Sequence, residues 1–283
     1  DPAGVTINVQ LTETGAGSFA AGSETLNYDA GSGWQTAPLN NLGNGAYLAN
    51  IPPLPCGAST QWFVSVEDSA GVVWASQNGT PFTTIVAEGD VLLTSFNMES
   101  AAGWTGGLSG DTATTGQWTR GNPIGTDAQP EDDHSPSGTN CWFTGQGSSG
   151  GSLGENDVDG GFTSLLSPAM DLSGAVDPII SYWRWYSNDT GASPNADIFE
   201  VHISGDGGGT WTSVEIVGPE GGESNGGWFQ KTLKVSDYVS LSSDVRMRFR
   251  ASDLNDGSIV EAAIDDLEVV DLVCQSCGGS NYC

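Results

Sequence analysis

Short runs of alternating apolar and polar residues recur along this chain. Residues 5–11 (VTINVQL) alternate at every position, which is the pattern of a β-strand with one buried face. Gly, Asn, Asp and Ser separate the runs, and Asn44-Gly45 is a strong hairpin motif. No amphipathic segment of helical period extends beyond about ten residues. The pattern predicts an all-β protein with almost no helix.

The densest β pattern lies between residues 177 and 211. Residues 180–186 (ISYWRWY) are nearly all aromatic or large, so we predict a strand covered on both faces, and residues 198–203 alternate like a half-buried strand. These two segments are the predicted centre of a β-sandwich. Alternation places Trp183 and Trp185 on one face of the first strand. It places Tyr182, Arg184 and Tyr186 on the other face, which we predict to be the ligand-binding face.

The spacing of the strands predicts two domains and a tail. Residues 1–88 contain about seven short strands, as an Ig-like or fibronectin-III-like sandwich does. Residues 89–272 carry longer strands of a larger β-sandwich. Residues 273–283 contain three cysteines and form a predicted tail or linker.

Charge excludes several classes of partner. The chain has 35 acidic and 7 basic residues among 283, a formal net charge of −28. Such a surface repels nucleic acids and anionic membranes. No apolar run approaches the roughly 20 residues that a membrane helix needs. The acidity favours either binding of hard cations such as Ca²⁺ or solubility in a salty medium.

Cysteine usage and the N-terminal sequence predict an extracellular protein. Widely spaced cysteines suit an oxidising compartment, and a chain that opens Asp1-Pro2 is typical of a mature N-terminus after cleavage of a leader. Sequons at Asn78 and Asn188 are candidate glycosylation sites. An odd number of cysteines predicts that one pairs outside the chain, and the pairing stays open. The disulfide candidates are Cys56, Cys141, Cys274, Cys277 and Cys283.

Enzymatic chemistry lacks a recognisable motif in the sequence. The two histidines, His134 and His202, have no second histidine at zinc-ligand spacing. No Gly-x-Ser-x-Gly elbow is placed between a strand and a helix. Residues 204–211 (SGDGGGTW) fit a single Asp-box, which we interpret as a hairpin turn capped by Asp206. The sequence therefore predicts a protein that is not an enzyme.

Most of the chain, residues 25–271, resembles a module of secreted bacterial proteins, notably extracellular proteins of the zinc-carboxypeptidase type. That module combines a small fibronectin-III-like domain with a jelly roll similar to MAM domains. The matching segments are residues 26–28, 34, 42–47, 56–57, 98–99, 103–104, 115–118, 156–161, 166–168, 181–186 and 262–266. In such proteins the module lies beside the catalytic domain, so the resemblance implies an accessory role.

The resemblance also implies a structural Ca²⁺ ion. Similar jelly rolls bind Ca²⁺ between the first strand, a mid-chain loop and the last strand. These positions correspond here to Glu99, to Asp157 and Asp159, and to Asp265 or Asp266. Alternation would place Asp265 and Asp266 on opposite faces, so we expect only one of them to be a ligand and favour Asp266.

The predicted function is a non-catalytic extracellular binding, adhesion or accessory module, stabilised by Ca²⁺, with a protein or a polysaccharide as partner. One alternative is a structural subunit that assembles into an extracellular filament, sheath or surface layer, in which the strand of residues 5–11 pairs with the sheet edge of a neighbour. A second alternative is a carbohydrate-binding module that uses exposed aromatic side chains.

Overall fold

The structure, a computed structural model, describes residues 4–12, 18–76, 81–254 and 257–274. The all-β prediction is confirmed. The structure has two short 3-10 helices, Gly222–Ser224 and Val235–Asp237, and no helix of the described residues has the length and apolar character that a membrane crossing requires. The chain divides into two compact units, residues 1–91 with 272–283 and residues 92–271. The sequence had predicted a join at residues 88–89 and a separate tail.

The first unit is a small sandwich of two antiparallel sheets. Its strands are β1 (Val5–Gln10), β2 (Thr25–Asp29), β3 (Gln35–Pro38), β4 (Asn40–Gly43), β5 (Ala46–Ile51), β6 (Ser59–Glu67), β7 (Val73–Ala75) and β8 (Phe82–Ile85). One sheet has the order β1-β5-β4 and the other β3-β2-β6-β7, with β8 also beside β6. Asn44 and Gly45 form the predicted hairpin turn with φ of 54° and 75°. Leu26, Tyr47 and Val64 are among the residues of the core between the sheets.

A disulfide joins Cys56 and Cys274, whose Cα atoms are 5.8 Å apart. Both residues belong to the first unit. The prediction that Cys141 is a disulfide candidate is wrong, because Cys141 is a free thiol fully buried beside Phe143 in the second unit. Burial raises the pKa of this thiol and so keeps it protonated. Cys277 and Cys283 lie outside the described residues.

The second unit is the larger jelly-roll sandwich. Its strands are β9 (Gly89–Phe96), β10 (Thr105–Gly106), β11 (Trp118–Gly121), β12 (Cys141–Thr144), β13 (Gly161–Leu166), β14 (Pro178–Ser187), β15 (Phe199–Ser204), β16 (Thr212–Val217), β17 (Asn225–Lys234), β18 (Arg246–Asp253) and β19 (Glu261–Val273). One sheet has the order β10-β13-β18-β15-β16. The other, which we call the tryptophan sheet, has the order β11-β12-β19-β14-β17, with β9 also beside β19.

Strand β14 is central in the tryptophan sheet, between β17 and β19. Its side chains Tyr182 and Tyr186 point into the sandwich. The Tyr182 ring meets Phe249 edge-on at 5.1 Å, and the Tyr186 ring stacks on Phe199 at 5.6 Å. Phe199 and Phe249 come from the opposite sheet, so these contacts form the core between the two sheets.

The Asp-box between β15 and β16 has the turn geometry that its sequence predicts. Asp206 accepts hydrogen bonds from the backbone N–H and the hydroxyl of Thr210, both at 2.8 Å, and Gly207 and Gly208 have positive φ. These bonds, with a bond from Ser204, lower the pKa of Asp206 to about 2. Asp206 is therefore ionised over the whole physiological range and holds the turn.

Candidate functional site

Three tryptophans form an aromatic cluster on the outer face of the tryptophan sheet. Trp183 and Trp185 lie two residues apart on β14 and so share a face. Trp228 of β17 is the cross-strand partner of Trp185, and their rings meet at 6.1 Å and 70°. All three side chains are partly exposed. The cluster offers solvent an apolar surface made of rigid rings.

The β11–β12 connection, residues 122–140, contacts this aromatic cluster at two points. The imidazole of His134 stacks on Trp183 with centroids 3.7 Å apart and also approaches Trp228 at 6.0 Å. The indole N–H of Trp185 donates to the carbonyl of Ala128 at 2.7 Å. The connection therefore fixes the orientation of two indoles, and His134 becomes the fourth ring of the cluster.

Two carboxylates hold His134 in place. Asp265 accepts the backbone N–H of His134 at 2.9 Å, and Asp266 lies 2.8 Å from its Nδ1. Asp265 is fully buried, and burial together with the neighbouring Asp266 raises its pKa to about 7. The Asp266 carboxylate, whose side chain is 30% exposed next to the aromatic rings, can accept hydrogen bonds from hydroxyl groups.

The prediction that Asp265 and Asp266 point to opposite faces is wrong. A β-bulge interrupts the pairing of β19 with β14, since Ser181 pairs with Glu268 but Trp183 with Asp265. Asp266 adopts a positive φ of 45° at the bulge, and both carboxylates then reach the backbone or ring of His134. An extra residue on one strand breaks the period of two on which the prediction depended.

The residues predicted to bind one Ca²⁺ lie in two separate groups. Glu99 accepts the N–H groups of Thr139 and Asn140, and these bonds, with one from the Asn140 side chain, lower its pKa. Burial raises the pKa of Asp133, and the nearby charges of Glu99 and Asp266 raise it further. Glu99, Asp133 and Asp266 therefore share one region.

Asp157 and Asp159 form the other group. Asp157 is buried, and burial with the charge of Asp159 raises its pKa to about 6. Burial raises the pKa of Glu261, and the charge of Asp157 adds to this effect. Glu261 precedes Asp265 on β19 by four residues, which corresponds to about 13 Å along the strand. In the part of the chain that the structure describes, no three acidic, histidine or cysteine side chains are arranged to hold a metal ion. Calcium binding by the predicted set stays a prediction.

The predicted ligand-binding face of β14 is not accessible. Tyr182, Arg184 and Tyr186 are each 0% exposed. Arg184 bonds Glu215 at 3.0 Å and also Glu223, and Tyr182 donates to Glu215 at 2.7 Å. This face is the inner face of the sandwich, and the accessible aromatic side chains of β14 are Trp183 and Trp185. Alternation separates the two faces, but the opposite sheet decides which of them is covered.

The two glycosylation candidates have different outcomes. Asn188 is fully buried and its Nδ2 donates to the carbonyl of Asp197 at 2.7 Å, so it is not accessible for glycosylation in the folded protein. Asn78 lies outside the described residues.

A second surface feature, in the first unit, was not predicted from the sequence. A cavity of about 550 Å³ lies between β1 and strands β6, β7 and β8. Ile7, Val9, Trp62 and Trp74 are among its apolar lining residues. Asp68 is the one charged residue among the described residues of that lining, and it accepts the indole N–H of Trp74 at 3.0 Å.

Comparison with known proteins adds a weak structural likeness. No protein-family model matches the chain, and no curated protein does. A structure of carbohydrate-binding modules from the β-sandwich superfamily shares 13% identity over 90% of this chain and 86% of its own, with a TM-score of 0.39. The CBM27-1 module of Caldicellulosiruptor saccharolyticus, in complex with mannohexaose, shares 10% identity over 64% and 96%, with a TM-score of 0.38.

A Stig cyclase from Fischerella shares 9% identity over 67% of this chain and 92% of its own, with a TM-score of 0.34. All three TM-scores lie below 0.5. The description of the fold therefore rests on the strands and sheets given above, and the resemblance to MAM-like modules of carboxypeptidase-type proteins stays a prediction.

Proposed function

We propose that the second unit is a non-catalytic module that binds polysaccharide outside the cell. The observation that carries the proposal is the aromatic cluster of Trp183, Trp185, Trp228 and His134, which stays partly exposed on the outer face of the tryptophan sheet. The apolar faces of sugar rings pack on aromatic rings, which bind with little loss of side-chain freedom. This cluster corresponds to the second alternative drawn from the sequence.

The charge around the cluster supports a neutral, hydroxyl-rich ligand. Asp266, with its side chain 30% exposed, lies beside His134, and Gln230 lies opposite Trp183 on β17. Carboxylate and amide groups exchange hydrogen bonds with sugar hydroxyls. A net charge of −28 disfavours acidic polysaccharides, so we expect neutral glycans such as mannan or xylan. The Cys56–Cys274 disulfide supports the extracellular location.

The test is binding of the whole chain to a panel of neutral and acidic polysaccharides, by affinity electrophoresis and calorimetry. We expect binding to a neutral glycan, and at least a tenfold loss in Trp183→Ala and in Trp228→Ala. Trp34→Ala is the matched control, because Trp34 is a 49% exposed tryptophan of the first unit. Loss of binding in the control alone would place the site elsewhere. Cleavage of the bound glycan would contradict a non-catalytic role.

The cavity of the first unit supports a second candidate function, self-association through strand addition. Among the described residues β1 pairs only with β5, and its residues 7–10 line the apolar cavity, so the other edge of β1 is a candidate for strand addition. Val72, Val73 and Trp74 are exposed at the β7 side of the same unit by 50%, 65% and 60%. A second copy of the chain is the proposed occupant, because two copies would bury these apolar residues together.

Light scattering across a concentration series tests self-association. We expect oligomers that dissociate in Val73→Lys, which adds a charge to the exposed apolar patch. Val176→Lys, at an 81% exposed position of the second unit, should behave like the unmodified protein. A monomer at every concentration would exclude this second candidate.

A further inference from the structure

Four buried polar side chains of the second unit come from segments that are neighbours in the fold. Tyr186 lies at the end of β14 and Asn188 directly follows that strand, Asp197 precedes β15, and Asp253 ends β18. Each is between 0% and 3% exposed. None of the four was among the metal ligands predicted from the sequence.

Contacts around Gly218 show that Tyr186, Asn188 and the backbone of Asp197 are neighbours. A methyl group built on Gly218 would lie 2.8 Å from the carbonyl of Asp197, 3.2 Å from Cε1 of Tyr186 and 3.7 Å from Nδ2 of Asn188. The backbone N–H of Leu254 donates to Oδ1 of Asp197 at 2.9 Å, which anchors that carboxylate next to Asp253. Burial and the nearby charge of Asp197 raise the pKa of Asp253, and both carboxylates also raise the pKa of Tyr186 after burial.

Each of the four side chains has a buried oxygen without a hydrogen-bond partner in the described part of the chain. These atoms are the Tyr186 hydroxyl, Oδ1 of Asn188, Oδ2 of Asp197 and Oδ1 of Asp253. No lysine or arginine of the described residues forms an ion pair with either aspartate. A buried oxygen without a partner costs about 1–3 kcal/mol, and a buried carboxylate costs more. Such an arrangement is stable when a cation binds the oxygens.

We propose that Asp197 and Asp253, with the side-chain oxygens of Asn188 and Tyr186, form a Ca²⁺ site. The donors are all oxygens, which selects a hard cation rather than zinc. Two carboxylates neutralise a divalent ion. Ca²⁺ takes six to eight oxygen ligands in irregular geometry, so backbone carbonyls and water complete the shell. Only two of the ligands are acidic, which agrees with the absence of a three-residue acidic metal cluster among the described residues.

The surrounding charge favours a cation at this position. Asp157 and Asp159 both act on Asp253 as nearby negative charges. These two residues were predicted from the sequence as ligands. In the proposed site they contribute negative potential around the ion, and the ligands themselves are Asp197 and Asp253.

The test uses the full chain after treatment with EDTA. Calorimetry with Ca²⁺ and luminescence of Tb³⁺, sensitised by aromatic side chains, measure binding directly. We expect saturable binding in the unmodified protein, at least tenfold weaker binding in Asp197→Asn and Asp253→Asn, and a change of less than twofold in Glu261→Gln. Glu261 is the matched control because it is a similarly buried acid of the same unit whose carboxylate already accepts a hydrogen bond from Thr144.

Thermal unfolding separates lost binding from misfolding. In EDTA, Asp253→Asn should melt at or above the temperature of the unmodified protein, because the substitution removes the repulsion between two buried carboxylates. In Ca²⁺ the unmodified protein should melt higher than the variant, since a ligand that binds only the folded state stabilises it. No saturable binding in the unmodified protein would overturn the proposal, and so would unchanged affinity in the Asp197→Asn, Asp253→Asn double variant.

Discussion

The imidazole of His134 lies flat on the indole of Trp183, with centroids 3.7 Å apart and 16° between the ring planes. The stacked pair joins the β11–β12 connection to the outer face of β14. It also makes the aromatic cluster depend on a residue that lies far from β14 in the sequence.

We predict that His134→Ala weakens glycan binding about tenfold and lowers the free energy of unfolding by about 1 kcal/mol, the contribution of one aromatic contact. The variant removes the stacking and the contact with Asp266 together. His134→Phe keeps a ring but not the contact with Asp266, so it should recover most of the binding. Calorimetry and chemical denaturation of both variants measure these effects. Equal losses in both variants would assign the effect to the contact with Asp266.

Arg184 provides a test of the inner face of β14. Arg184→Met leaves Glu215 and Glu223 with Lys231 as their remaining basic partner, and we predict a loss of about 3 kcal/mol, as for removal of one partner from a buried ion pair. Denaturation with urea measures the loss. Arg246→Met is the control, because its partner Asp244 is 44% exposed, and such a pair contributes about 0–1 kcal/mol. Similar losses in the two variants would contradict the buried placement.

Stability should fall as the pH rises from 5 to 8 in the presence of EDTA. Burial raises the pKa of Glu261 well above its ordinary value and that of Asp265 to about 7. An acid whose pKa is raised by folding keeps its proton in the folded state at pH values at which the unfolded chain has lost it. Its stabilisation is therefore complete below about pH 4, and disappears as the pH passes the folded pKa.

Glu261→Gln isolates this contribution, because the amide keeps the size of the side chain and does not titrate. We expect a flatter dependence of the free energy of unfolding on pH in this variant. Burial lowers the pKa of His202, and this shift makes the free energy of unfolding rise with pH over the same range. The variant therefore has to be compared with the unmodified protein. A variant with the same slope as the unmodified protein would show that Glu261 is ionised in the folded state.

Removal of the disulfide should destabilise the first unit. We predict that Cys56→Ser lowers its free energy of unfolding by about 2–4 kcal/mol. Calorimetry should show the unfolding transition of the first unit at a lower temperature in this variant. Cys141→Ala, which removes the buried free thiol of the second unit, should leave that transition unchanged. A shift of equal size in the control would argue against the pairing.

The strands of the second unit could be predicted because their patterns are long and local. The runs around β14, β18 and β19 were recognisable from apolar periodicity and β-branched residues alone. Which face of β14 lies inside the sandwich could not be predicted in this way. Both faces carry aromatic side chains, and only the contact of Tyr182 with Phe249 from the opposite sheet decides which face is inside.

Local patterns predicted neither the shared orientation of Asp265 and Asp266 nor the proximity of Asp197 and Asp253. The bulge at Asp266 depends on the register of β19 against β14, which no motif within β19 specifies. Asp197 and Asp253 are 56 positions apart in the sequence and meet through tertiary structure. Among 35 acidic residues, neither had a local feature that distinguished it. The Asp-box turn was predictable for the opposite reason, since all its hydrogen bonds lie within seven residues.

The bond between Cys56 and Cys274 makes residues 56–274 a covalent ring, since the two cysteines are 218 positions apart. The second unit, residues 92–271, lies entirely within this ring. A protease that cuts one peptide bond between the cysteines opens the ring without releasing a fragment. Two cuts, or one cut followed by reduction, are needed to separate the pieces. In a protease-rich environment, a nicked molecule would therefore keep its full mass until it met a reductant.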